Sequence, residues 1–221
     1  MNTLSGSRAF KSLKVLLISA ACGAAGQSFG AEGGQGFFGA NFGVGQSYSS
    51  KPGTPGIAYD MGVEPGYAVS LGSWSRAEAG LELGFGTASY RAKEDTLLGE
   101  KLNFTMTSIM PKLGYGYSLG DGLWAVWKVG VGPSQLKYTG KDKDSINSFS
   151  GNILAIGLRG EFLVVLPAGS AVDFTAGVKV THISGDLGDT DVSTGTTTTK
   201  VDLGTLNMNL CEASLGARLK F

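Results

Sequence analysis

Apolar and polar residues alternate along most of this chain with a period of two. In the closing stretch LCEASLGARLKF, residues 210–221, apolar side chains occupy every second position back from Phe221, while Glu212, Arg218 and Lys220 lie on the opposite face. This period predicts a β-strand with one apolar and one polar face. Eight segments show the pattern: residues 37–44, 67–72, 78–86, 109–117, 125–132, 154–164, 172–180 and 210–221.

The connections between these segments alternate in length. Short turns rich in Gly, Pro, Ser and Asp are predicted at residues 73–76, 120–122 and 167–170. Long polar connections are predicted at residues 49–62, 92–101, 139–149 and 185–204. The alternation predicts four hairpins, with the short turns at one end of the sheet and long polar loops at the other, of which the fourth is predicted to be mobile.

Glycine distinguishes between two folds that share this alternation. The chain has 36 glycines, and many lie on the polar face of the predicted strands. A β-sandwich with a solvated polar face has no need of them, because glycine weakens strands. The narrow interior of an eight-stranded barrel does need them, because its side chains must fill the available space. The sequence therefore predicts an all-β fold: a closed antiparallel eight-stranded transmembrane β-barrel, an up-and-down meander whose polar face lines the lumen.

Residues 1–30 have the layout of a secretory signal peptide. Three basic residues and no acidic residue precede an apolar core at residues 15–25, and small residues surround the predicted cleavage site after Gly30. The core is too short to span a bilayer. Lipidation at Cys22 is an alternative, although Ser19 stands where a lipobox usually has Leu. Residues 31–221 are then predicted to form one barrel domain.

The chain resembles the small eight-stranded bacterial outer-membrane proteins of the OmpA and OmpX type. The resemblance covers residues 31–221 and is most specific in the final strand, which ends on Phe221. In that family, the barrel-assembly machinery recognises such a strand as the signal for insertion into the outer membrane. The resemblance therefore implies an integral outer-membrane protein with extracellular loops and periplasmic termini. It also implies a monomer that contacts outer-membrane lipid and lipopolysaccharide. The formal charge is balanced, with 18 basic and 18 acidic residues, so no nucleic-acid partner is predicted.

Charged residues of both signs have the parity of the predicted lumen. They are Glu82, Lys112, Lys128, Arg159, Glu161, Asp173, Lys179, Glu212, Arg218 and Lys220. Ion pairs are expected among them, because unpaired buried charges are costly. This pattern favours a lumen plugged by side chains and a structural or surface-interaction role. The alternative is a narrow OmpW-like passage for small solutes, which would need an apolar lining.

His182 and Ser184 are the one catalytic candidate in the sequence. The lipid A deacylases are also eight-stranded barrels, and they place a His-x-Ser pair in a comparable position on the lipid-facing side of a strand. The second alternative is therefore a lipid A deacylase that uses His182 and Ser184. Gly185 stands where that family has Asn, and no assisting acid is assignable. We therefore predict no enzyme activity and no catalytic residue.

Other patterns give weaker indications of ligands. The Gly-x-Gly repeats lack the strand–helix context of a dinucleotide site, so no cofactor is predicted. Asp186, Asp189 and Asp191 are spaced unlike any calcium-binding loop, so no metal site is predicted. Three lysines of the third long connection would reach lipopolysaccharide phosphates, although two aspartates are interleaved with them: Lys137, Lys141 and Lys143.

Overall fold

The computed structural model describes residues 34–49, 53–92, 102–141, 148–194, 197–202 and 204–221. The strands of these residues are β1 (Gly34–Ser49), β2 (Gly53–Thr54), β3 (Gly56–Ser70), β4 (Ser75–Ala92), β5 (Leu102–Gly120), β6 (Leu123–Lys141), β7 (Ser148–Pro167), β8 (Val172–Asp186), β9 (Asp189–Thr194), β10 (Thr197–Asp202) and β11 (Thr205–Lys220). No helix in this part of the chain is long and apolar enough to cross a membrane. The predicted signal peptide and Cys22 lie outside the described residues.

Eight long strands of the described residues close into a barrel. Strands β1, β3, β4, β5, β6, β7, β8 and β11 each pair antiparallel with their neighbours along the chain, and β11 pairs back onto β1. The β1–β11 register runs from Phe37 opposite Lys220 to Ser49 opposite Met208. The predicted fold, a closed eight-stranded antiparallel meander, is confirmed.

Phe221 takes part in the closure of the barrel. Its backbone exchanges two hydrogen bonds of 3.1 Å with Gly36, so pairing continues past the end of β11. A Cβ atom on Gly36 would lie 2.6 Å from the Phe221 ring. The absent side chain at Gly36 therefore leaves room for this ring on the outer face of the barrel.

Tight turns and both described ends of the chain lie together at what we call the turn end. The turns are residues 71–74, 121–122 and 168–171. At the second turn, Asp121 and Gly122 both have left-handed φ angles, of 51° and 78°. A two-residue turn of this kind matches the twist of the flanking strands, and Asp-Gly is a favoured pair for it. The first predicted turn, 73–76, is shifted, because Ser75 and Arg76 already belong to β4.

At the opposite, long-connection end, the strands extend further than predicted. Most of the predicted loop at 49–62 is wrong, since β3 begins at Gly56. Strand β6 continues to Lys141 and β7 begins at Ser148. The predicted loop at 185–204 contains the hairpin β9–β10, whose register runs from Thr197 opposite Thr194 to Asp202 opposite Asp189. Thr and Val favour extended backbone even where few residues are apolar.

The polarity of the wall reverses along the barrel. On β5, Leu113, Tyr115 and Tyr117 point outward and are exposed, whereas Lys112 on the alternate parity is buried. Nearer the long-connection end of the same strand, Phe104 is buried inside the barrel and its neighbours point outward with polar side chains. The inward side chains of this section pack into what we call the upper apolar layer. Its members are Ala58, Ala88, Tyr90, Leu102, Phe104, Met106, Leu136, Tyr138, Ala155, Ile183, Leu187, Leu206, Met208 and Leu210.

The predicted role of the lumen glycines is confirmed by what a side chain would meet at each position. A Cβ atom would lie 2.9 Å from Glu82 Cδ at Gly62 and 2.5 Å from Glu64 Oε1 at Gly80. At Gly130 it would lie 2.9 Å from Lys112 Cγ. Each of these glycines therefore provides the space in which a long charged side chain from another strand lies.

Candidate functional site: the filled lumen and its apolar belt

An apolar belt surrounds the section of the barrel nearer the turn end. Large apolar side chains that would be buried in a soluble protein are here exposed, and Leu113, Leu154 and Leu215 are each about two thirds or more exposed. Exposed aromatic residues lie at both ends of the belt, and within it Trp127 and Phe162 contact each other with ring centroids 5.1 Å apart. Along β4, β5 and β6 the belt spans roughly ten residues, which is the length that a tilted strand needs to cross the hydrocarbon. The belt has the height and the composition of a surface that suits contact with lipid.

Lys112 is the centre of an ion-pair network that fills the lumen inside the belt. Its Nζ donates to Glu82 Oε2 at 2.6 Å and to Glu161 Oε1 at 2.5 Å, and lies 3.3 Å from Glu64 Oε2. These carboxylates come from β3, β4 and β7, so a single ammonium group links three other strands across the barrel. All four side chains are nearly inaccessible to solvent.

The network continues toward the long-connection end through Arg159. Its guanidinium pairs with Glu82, and Nη2 lies 2.9 Å from Asp60 Oδ2. Asp60 Oδ1 also accepts from Lys179 Nζ at 2.8 Å, and Lys179 donates further to Asn41 Oδ1 at 2.5 Å. Lone pairs and N–H groups are thus shared among several partners, as a buried network requires.

Toward the turn end, Glu78 is the common acceptor. Its Oε1 lies 2.7 Å from Arg76 Nη2 and 3.0 Å from Arg218 Nη1, and its Oε2 lies 3.0 Å from Lys128 Nζ. Lys128 also pairs with Glu64, which connects this group to Lys112. The Phe37 ring lies beneath two of these cations, 4.9 Å from Lys128 Nζ and 4.8 Å from Arg218 Cζ. The ring faces attract the cations and fill space that carboxylates leave open.

Nine of the ten residues predicted to face the lumen are buried there. The tenth, Lys220, is partly buried at the turn end, where it pairs with Asp173 at 2.6 Å. Four network members were missed: Asp60, Glu64, Arg76 and Glu78. The predicted loop at residues 49–62 includes Asp60, and the predicted turn at residues 73–76 includes Arg76. Glu64 fell between the predicted loop and strand. For Glu78, the parity of Glu82 in the same strand already indicated an inward side chain.

Glu212 differs from the other buried carboxylates. It is 1% exposed, yet neither carboxylate oxygen has a hydrogen-bond partner among the described residues. Its backbone lies opposite Lys179, whose ammonium group is directed to Asp60 and Asn41. Glu212 is therefore a buried carboxylate without a direct ion pair.

The interior is not uniformly charged, which corrects the expected lining. The charged network lies inside the belt, but the upper apolar layer lies above it. At the boundary, Ser108 and Ser134 face each other on β5 and β6, and both hydroxyls are buried without a partner in the described part of the chain. This half of the lumen therefore does have the apolar lining that a passage for apolar solutes would need.

His182 and Ser184 both point outward on β8, and each is engaged by an amide on β11. His182 Nδ1 lies 2.9 Å from Asn209 Oδ1, and Ser184 Oγ donates to Asn207 Oδ1 at 2.8 Å. Among the described residues, no hydrogen bond joins His182 to Ser184. A nucleophilic serine requires a base within hydrogen-bond reach and a third group that orients the base. The arrangement is that of two cross-strand polar pairs.

The weaker candidates of the third and fourth long connections are only partly described. Asp186 Oδ1 accepts from Gly188 N at 3.0 Å, whereas the side chains of Asp189 and Asp191 lie outside the described residues. The described residues contain no cluster of His, Cys, Asp and Glu that would hold a metal ion. Lys137 is exposed on the outer face, and the side chains of Lys141 and Lys143 lie outside the description.

No protein-family model and no curated protein matches the sequence. Solved structures with a similar fold include neisserial surface protein A, with 16% identity and a TM-score of 0.44 over 86% of this chain and 99% of that one. Ail of Yersinia pestis has 10% identity and a TM-score of 0.45 over 86% and 99%. OprG of Pseudomonas aeruginosa has 12% identity and a TM-score of 0.40 over 86% and 96%. The barrel itself is established by its closed strand pairing.

The two buried glutamates Glu82 and Glu212 provide a matched test of the network. Glu82→Gln leaves Lys112 and Arg159 without a full counter-charge and should destabilise the barrel by about 3–5 kcal/mol. Glu212→Gln removes a charge that has no direct pair, so it should be neutral or stabilising. Urea unfolding of both variants in lipid, followed by tryptophan fluorescence, measures the difference. Equal destabilisation by the two substitutions would contradict the assigned pairing.

Proposed function

We propose that this chain is an integral outer-membrane β-barrel with a structural or surface-interaction role and a lumen plugged by its own side chains. The observation that carries the proposal is the ion-pair network inside an apolar belt. Lipid provides no hydrogen-bond partners, so a spanning sheet must close on itself and keep its polar groups inside. In the proposed role, the barrel anchors and presents its long connections. We propose no catalysis and no cofactor.

The proposed orientation places the turn end in the periplasm and the long connections outside the cell. Barrels of this class have short periplasmic turns and longer extracellular loops. The polar outer face above the belt, at the long-connection end, suits an aqueous or headgroup environment. In this proposal the barrel is a monomer whose partners are outer-membrane lipid and lipopolysaccharide, with no nucleic acid involved.

The upper apolar layer favours a second candidate, a narrow OmpW-like passage for small solutes. A solute that entered this layer would next meet Lys112, Arg159 and their carboxylates. The network would have to separate for the solute to continue along the axis, which would leave buried charges unpaired. This cost is the reason that the plugged barrel remains the first proposal.

Planar-bilayer recording separates these two candidates. The parent barrel should give no stable conductance steps, because its lumen is filled by paired side chains. The charge-balanced double variant Lys112→Ala with Glu82→Ala removes one cation and one anion from the network and should show conductance steps more often than the parent. Large and reproducible steps from the pure parent protein would overturn the plugged lumen.

The lipid A deacylase alternative has its own test. Lipid A from cells that express the parent or Ser184→Ala should have the same acylation pattern by mass spectrometry, because Ser184 and His182 each bond to an asparagine. An acyl chain that is lost with the parent and retained with Ser184→Ala would show that the barrel is an enzyme.

We also propose that the C-terminal strand is recognised by the barrel-assembly machinery through Phe221. Phe221→Ser should lower the amount of folded barrel in the outer membrane several-fold. Phe174→Ser is the matched control, because Phe174 lies on the same outward face near the same end and is similarly exposed, 55% against 60% for Phe221. The amount of folded barrel in isolated outer membranes is compared for both variants by heat-modifiability on gels. Equal losses would mean that the ring contributes only lipid contact.

A further inference from the structure

Above the belt, strands β4 to β7 carry two rows of outward polar side chains, which we call the polar lattice. The lower row is Thr87, Thr105, Lys137 and Asn152, and the upper row is Ser89, Asn103, Thr139 and Ser150. Members of a row are direct cross-strand partners, so they repeat about every 4.8 Å across the sheet, and the two rows lie about 7 Å apart along the strands. Most of these side chains are exposed.

Most polar groups of this lattice have no partner among the residues that the structure describes. In the described part of the chain, Ser89 Oγ accepts from Ile57 N at 3.2 Å, and the other seven side chains make no hydrogen bond or ion pair. On the opposite side of the barrel, the outward polar residues bond to one another, as in the pairs His182–Asn209 and Ser184–Asn207. The outward polar side chains therefore bond to one another on one side of this section, whereas those on the other side have unused donors and acceptors.

The position and charge of the lattice restrict its occupant. The next row toward the turn end is the mixed upper edge of the apolar belt, with Phe85 and Leu154 at its ends and Thr107 and Gln135 between them. Two rows extend roughly the depth of a lipid headgroup from the hydrocarbon edge. The lattice contains seven hydroxyl or amide groups, one lysine and no carboxylate. A single phosphate would occupy Lys137 alone and leave both rows of neutral groups unused.

We propose that the polar lattice binds the phosphorylated saccharide headgroup of an outer-leaflet glycolipid. Sugar hydroxyls donate to and accept from the Thr, Ser and Asn side chains, and Lys137 pairs with a phosphate. The acyl chains of the same lipid then lie along the belt below, so both parts of one molecule contact a continuous surface. This inference rests on the proposed outer-membrane location and specifies which side of the barrel the lipid contacts.

Lipid binding to two triple variants tests the assignment. The lattice variant combines Thr105→Ala, Lys137→Ala and Asn152→Ala, and the control variant combines Gln46→Ala, Asn207→Ala and Asn209→Ala on the opposite side. Each purified barrel is titrated in detergent with bisphosphorylated lipid A that carries inner-core sugars and, separately, with phosphatidylglycerol, and bound lipid is counted by native mass spectrometry. Circular dichroism and heat-modifiability check that all three proteins are folded.

The lattice variant should bind the glycolipid about tenfold or more weakly than the parent, as expected for the loss of several hydrogen bonds and one ion pair. The control variant should bind like the parent, and phosphatidylglycerol should bind all three proteins alike. Equal weakening in both variants, no preference of the parent for the glycolipid, or a parent dimer that the lattice variant loses would each overturn the proposal. Conductance by the parent would instead overturn the plugged lumen and leave these binding results unaffected.

Discussion

The interior of an eight-stranded barrel is just wide enough for side chains, and lipid outside accepts no polar group. Every inward side chain inside the belt must therefore fit the available volume and satisfy its charge within the lumen. This chain meets both demands at most lumen positions by combining glycine with long charged residues, and among the described residues Glu212 is an exception. Gly62 and Gly80 leave the space that Glu82 and Glu64 occupy, and these carboxylates meet at Lys112. A larger residue at either glycine would remove the space that a carboxylate side chain occupies, and a neutral residue at Glu64, Glu82 or Lys112 would change the charge balance.

The reversal of polarity along the wall follows from the lengths of the strands. The strands of this barrel run 15–20 residues, whereas about ten cross the hydrocarbon. On β5 and β11 the remaining section has the polarity of a water-soluble β-barrel, with Phe104 and Met208 inside and Asn103 and Asn209 outside, whereas β3 keeps Ile57 and Tyr59 exposed at the same height. One continuous sheet thus contains two cores of opposite character, and the boundary between them lies near Ser108 and Ser134.

The alternation of the sequence predicted the barrel, its closure and most lumen charges, because inside the belt each strand alternates outward apolar residues with inward glycine, polar or charged residues. The prediction failed where this alternation reverses. On β5 the apolar residues move from odd positions at Leu113 to even positions at Phe104, and this shift of parity on either side of Ser108 was the available signal. The pattern does not identify Asp60, because the Gly- and Pro-containing stretch around it favours a loop. The partners of each charge depend on strand tilt and register, which a period of two does not specify.

The ion pairs of the lumen join residues that are distant along the chain. Arg218 and Glu78 are 140 residues apart, and Lys179 and Asp60 are 119 apart. Such contacts form only when β11 pairs with β1. A partly assembled sheet therefore contains carboxylates and ammonium groups that are not yet paired. Non-local pairing of this kind makes folding slow. The same dependence makes the closed barrel cooperative, because the seam between β1 and β11 cannot open without separating charges on several strands at once.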